Sequence, residues 1–190
     1  MKVFVTTGCG NIIQGGADMW TNNFIELVLP HLSEYYILVD SKKPIGWKDT
    51  YHLEKSGKLH FHLENEEKTD FILRVCKEIH FLHANYHKRE HLWKHKDKWG
   101  TIFVQAYLPD MLDYGDSLRQ FNTSVVEEDV DYLLTHCKKR IWIGNNPSRI
   151  FGKFKTDTIP NFYEFKKNKP LNKINNKLGF TSRIESRKNV

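Results

Sequence analysis

The stretch FLHANYH places a histidine, His83, directly after a short apolar run. If that run is a buried strand, His83 stands at its carboxyl end, where an imidazole can take a proton from a hydroxyl. A capping histidine at the start of the next helix reads equally well there. A second candidate lies in VQAYLPDMLDYGD, where Asp110, Asp113 and Asp116 follow another apolar run. Asp110 suits a general base, whereas Asp113 and Asp116 read better as turn or N-cap residues. A third lies in TTGCGNIIQGGADMW, where Gly15 and Gly16 precede a helical pattern. Glycines there let backbone N–H groups approach an anion such as a diphosphate, aided by the helix dipole. A tight turn needing positive φ would use the same residues. The spacing is GxG, four residues, then GG, which is not the GxGxxG of a dinucleotide fingerprint.

His83, His87, His91 and His95 recur every four residues. On one helix face, such a pair could chelate a transition metal, but a third ligand is needed and none is obvious nearby. The expectation is a solvated, weakly basic face among Lys88, Arg89, Lys94, Lys96 and Lys98, and no metal.

These residues need strands and helices to place them. Val3–Thr6, Tyr35–Val39, Leu59–Leu63, Glu78–Leu82, Thr101–Ala106, Ile141–Ile143 and Thr158-Ile159 read as strands. Helical patterns cover Ala17–Leu29, Thr69–Cys76, His87–Trp99 and Val125–Leu134. On the first of them Trp20, Phe24, Leu27 and Val28 share a face. Trp47–Lys58 is polar and turn-rich. Short apolar strands alternating with helices predict an α/β fold. It is a Rossmann-like parallel sheet with helices on both faces, its working groups at the carboxyl ends of the strands. KKNKPLNKINNK, Lys166 to Lys177, reads as a solvated linker. The expected division is a domain over 1–165, a linker over 166–177, and the opening strand of another domain over 178–190.

Composition narrows the class. The chain has 190 residues, 39% of them hydrophobic, enough for a core. Its net charge of +6 is concentrated in the tail. Residues 151–190 hold eight lysines and two arginines against Asp157, Glu164 and Glu185, and the rest is close to neutral. A smaller basic cluster, Lys77 to Lys98, would suit an anionic partner. Three widely spaced cysteines, Cys9, Cys76 and Cys137, fit no zinc or disulfide framework and suggest a reducing, cytoplasmic setting. No run is long enough to span a bilayer.

The two ends of the chain resemble one family. MKVFVTTGCGNIIQGGADMWTNNFIELV is similar to the amino-terminal signature of retaining GT-B glycosyltransferases. TIPNFYEF, Thr158 to Phe165, looks like that family's IPNG crossing between domains. GFTSRIESRKNV looks like its donor-diphosphate loop, with Arg183 and Lys188 at the two cationic positions. Ser182 and Asn189 stand where the family usually has glycine, and Asn161-Phe162 lacks the glycine of IPNG. The resemblance implies a glycosyltransferase that moves a sugar from a nucleotide sugar, such as UDP-glucose, to an acceptor hydroxyl, with no further cofactor. It implies that this chain is the acceptor-side half. His83 and Asp110 would lie at the acceptor, and Gly15, Gly16, Arg183 and Lys188 at the donor diphosphate. The donor half would lie in a missing carboxyl-terminal domain, so the chain alone would be inactive. The acceptor would be a glycan (as in polysaccharide biosynthesis), a glycolipid or a modified DNA base. The other readings are a non-catalytic acceptor-binding domain, or a small Rossmann-like nucleotide-binding oxidoreductase. Asp40, near the end of the second strand, keeps the last of these open.

Overall fold

The computed structural model describes residues 1–12, 16–82, 90–105, 132–143 and 157–159. Their strands are β1 (Lys2–Thr6), β2 (Tyr35–Val39), β3 (Leu59–Phe61), β4 (Glu78–Phe81), β5 (Trp99–Gln105), β6 (Lys139–Ile143) and β7 (Asp157–Ile159). All pair in parallel in one sheet, in the order β3-β2-β1-β4-β5-β6-β7. This is the α/β Rossmann-like sheet expected, with its topological switch point between β1 and β4.

The central strands are largely apolar on both sides, as at residues 3–5, 36–39 and 102–104, because both faces of the sheet are covered. Successive side chains point to opposite faces. Val3, Val5, Tyr36, Leu38, Ile79 and Phe81 therefore enter one core with Ile72, Leu73 and Leu92. Phe4, Ile37, Val39, Leu59 and Phe61 enter the other with Trp20, Phe24 and Ile25.

Helix α1 (Gly16–Leu27) covers the second core and continues into a 3-10 turn, Leu29–His31, which carries Pro30 in its first turn. Its buried face is Trp20, Thr21, Asn22, Phe24 and Ile25. Leu27 and Val28, expected on that face, are only partly buried. Helix α2 (Glu66–Val75) covers the first core. Asn65 caps it by accepting from the Lys68 N–H at 2.8 Å. Its other end is closed by Lys98, whose ammonium donates to the Leu73 and Arg74 carbonyls at 3.0 and 2.7 Å.

The charged segment after β4 differs from expectation. Among the described residues helix α3 is Glu90–Trp93, a 3-10 turn follows at Lys96–Lys98, and Trp99 already belongs to β5. A fully buried tryptophan suits a central strand better than a solvated helix. Leu63, expected within the third strand, instead lies in the 3-10 turn His62–Glu64. Residues 132–136 are helical.

The register between β4 and β5 shifts, with Ile79 opposite Trp99 but Phe81 opposite Ile102. The extra residue in β5 lets the Thr101 N–H donate to His80 Nδ1 at 3.0 Å. Gly100 has no side chain because a Cβ there would lie 2.8 Å from the His80 ring.

Candidate functional site

The carboxyl edge of the sheet carries two corners of different build. The first is where β1 runs into α1. The buried Asn22 amide on α1 clasps Gly10, accepting from its N–H at 2.9 Å and donating to its carbonyl at 2.8 Å. Gly10 has φ +89°, which only glycine adopts readily, and a Cβ there would lie 2.7 Å from Trp47 Nε1. That indole donates to the Cys9 carbonyl at 2.8 Å. Asn11 ties the same loop to the 41–58 segment, donating to the Gly46 carbonyl and accepting from the Lys48 N–H. Gly8 lies against Asp18, whose carboxylate would be 2.9 Å from a Cβ on Gly8. Asp18 sits in the first turn of α1, where the helix dipole favours an anion.

This corner is therefore already furnished. The Gly8 and Gly10 N–H groups are directed at Thr6 Oγ1 and Asn22 Oδ1. A carboxylate occupies the first helical turn. Burial, helped by Asp49 and Asp18, pushes the Cys9 thiol up to about 12, so it is no nucleophile at neutral pH. Burial likewise holds Cys137 at about 12 and raises Cys76. All three cysteines are free thiols.

The second corner lies over the ends of β2 and β3. Asp40 follows β2, His62 follows β3, and His91 is on α3. Both Asp40 and His62 are the first residue past a buried strand, so the pleat turns them to the face that α3 also covers. His91 Nε2 is 3.3 Å from Asp40 Oδ1. The His62 and His91 rings stack with centroids 3.7 Å apart and planes 17° from parallel. Asp40 is 1% exposed and His62 6%. One ligand atom from each of the three lies within 4.8 Å of the others.

Of the residues singled out in the sequence, Gly16 opens α1. His83, Asp110, Gly15, Arg183 and Lys188 lie outside the described residues, as do His87, Asp113, Asp116 and the segments 166–177 and 178–190. Leu82, just before His83, is held at the carboxyl end of β4 through its N–H to the Val5 carbonyl at 2.9 Å. Within the histidine series, only His91 and His95 are among the described residues, and they do not share one helix. His91 is on α3, whereas His95 lies beyond it, before the 3-10 turn. The carboxylate that the sequence did not reveal near His91 is that of Asp40, at the end of another strand. His62, Asn22 and Asp18 are not among the site residues read from the sequence, and Asp40 is read there only as an acidic residue that keeps an oxidoreductase open. For Asp40 and His62 the signal was present, since each follows a buried apolar run just as His83 does.

Lys94 and Lys96 of the basic cluster are exposed, but Lys98 is spent on capping α2. Among the described residues no helix is long and apolar enough to cross a membrane. Comparison with protein-family models, with curated proteins and with solved structures gave no match.

Proposed function

We propose that this chain is the acceptor-side domain of a retaining GT-B glycosyltransferase, which moves a sugar from a nucleotide sugar to an acceptor hydroxyl. The reading rests on the resemblance of the chain's two ends and on a Rossmann-like parallel sheet with its glycine loop at the switch point. The observation that carries it against a dinucleotide-binding oxidoreductase is the furnishing of the β1–α1 corner. A dinucleotide lays its pyrophosphate on bare N–H groups at that helix terminus and its ribose on the acidic residue after the second strand. Here the Gly8 and Gly10 N–H groups are directed internally and Asp18 adds negative charge. Asp40, at the ribose position, is buried against His91. Among the described residues, a carboxylate in the first helical turn and glycine N–H groups directed internally suit a neutral, hydroxyl-rich acceptor better than a diphosphate.

On this reading Gly15 and Gly16, which the resemblance puts at the donor diphosphate, also border the acceptor, and Arg183 and Lys188 carry the donor diphosphate through a bidentate fork and a point charge. His83 or Asp110 accepts the acceptor's proton. The acceptor is a glycan or glycolipid, with a modified DNA base as the anionic alternative that Lys94 and Lys96 would favour. Thermal-shift titration with NAD, UDP-glucose and neutral oligosaccharides tests the reading. Stabilisation by an oligosaccharide or UDP-glucose and none by NAD is expected. Saturable stabilisation by NAD alone would overturn it.

A further inference from the structure

We propose that Asp40, His62 and His91 bind a divalent cation of the zinc class, independently of the transferase reading. Two imidazoles and one carboxylate form the donor set that zinc and its neighbours prefer, and that magnesium or calcium does not. The three come from β2, β3 and α3, so their meeting is a product of the fold rather than of helical spacing. All three are withdrawn from water. Asp40 is 1% exposed, His62 6%, and the His91 side chain 12%. Moving a carboxylate into such a place is costly unless positive charge accompanies it, and a divalent ion supplies that charge.

Distances fit an ion within reach of all three. The ligand atoms lie within 4.8 Å of one another, and His91 Nε2 is 3.3 Å from Asp40 Oδ1. The two rings are stacked, and rotating one ring about its Cβ–Cγ bond would re-aim its nitrogen toward a shared ion while the backbone stays in place. Three protein ligands leave one tetrahedral position open, at the edge of the sheet where this architecture presents its ligands. The ion would also tie α3 to the ends of β2 and β3.

The test is titration of the untagged chain with Co²⁺ and Zn²⁺, followed by equilibrium dialysis and by the visible absorption of tetrahedral Co²⁺. One ion per chain is expected, with tetrahedral Co²⁺ bands. Histidine side-chain NMR of the wild-type protein should show two imidazoles shifting on Zn²⁺ addition, a readout that needs no variant to fold. Removing a partner that only orients a ligand costs about 10–100-fold in affinity, so Asp40→Asn, His62→Gln and His91→Gln should each cost about 100-fold or more. His31→Gln should cost nothing. Absence of a stoichiometric site in the folded wild-type chain would overturn the proposal. So would wild-type affinity in all three folded variants. Either result would leave a stacked histidine pair with an ion pair to Asp40.

Discussion

The β1–α1 corner and the β2–β3 corner occupy the same edge of one sheet but are held differently. The first is closed by neutral hydrogen bonds and close packing: an asparagine amide on Gly10, an indole on the Cys9 carbonyl, and glycine where no Cβ fits. The second gathers ionisable side chains in a buried place. A corner tied by hydrogen bonds between neutral groups is stabilised by satisfying those groups, and its loss shows in stability. A corner of ionisable groups depends on what charge accompanies it, and its loss shows first in what it binds. Both lie where a doubly wound sheet presents ligands, so the fold offers two differently equipped places rather than one.

The sharpest way to break the first corner is Asn22→Ala. It leaves the Gly10 N–H and carbonyl without the amide that now satisfies both, at about 1–3 kcal/mol for each buried group. Chemical denaturation should show a loss of about 2–4 kcal/mol, with no change in Co²⁺ affinity. A loss below about 0.5 kcal/mol would mean that water replaces the clasp.

Gly10→Ala comes next. It forces a side chain into φ +89° and places a Cβ 2.7 Å from the Trp47 indole nitrogen. Strain at such a φ costs about 1–3 kcal/mol, and the Trp47 bond to the Cys9 carbonyl should weaken with it. Tryptophan fluorescence should shift as Tm falls. An unshifted spectrum would show that the indole has not moved.

A smaller effect should appear on acidification at the β4–β5 seam. Burial lowers the His80 pKa, opposed by Glu78 and reinforced by Lys2. The unfolded chain therefore takes up a proton at a pH where folded His80 is still neutral. The stability tied to neutral His80 is fully present above the ordinary histidine value of about 6.5 and is lost as pH falls through the lowered folded value. His80→Asn keeps an acceptor for the Thr101 N–H without a titrating ring. The gap in Tm between wild type and this variant should shift in the variant's favour between neutral and mildly acid pH. A gap independent of pH would contradict the assignment.

The smallest effect should come from the sheet's far edge. Lys139 and Asp157 form an ion pair 3.0 Å long, with both side chains more than half exposed. Lys139→Ala should change stability by no more than about 0.5 kcal/mol.

The sheet was legible in the sequence because buried parallel strands are apolar on both faces and stand out as short runs. Tyr35–Val39 is the clearest example. Of the helix expected over His87–Trp99, the part after Trp93 is not α-helical, because its charged residues carry helical spacing whereas Trp99 answers to the sheet core. Asn65 was an N-cap signal that would have moved the start of α2 earlier. The Gly10 clasp was only half visible. The glycine was readable, but Asn22 is a polar residue on a buried helix face, and no periodicity rule assigns it a partner. The Asp40–His62–His91 group was hidden for a topological reason. Its members sit on three elements that only the strand order brings together.

The central claim is sugar transfer, and the most direct measurement is acceptor-dependent release of UDP from UDP-glucose by the intact protein, with its His83→Ala and Asp110→Asn variants alongside. A positioned base is worth about 10²–10⁴-fold in rate. The account predicts release that rises with added acceptor and falls by that order in at least one variant, with Tm little changed. Absence of release with any nucleotide sugar and acceptor, together with stoichiometric binding of NAD, would contradict it.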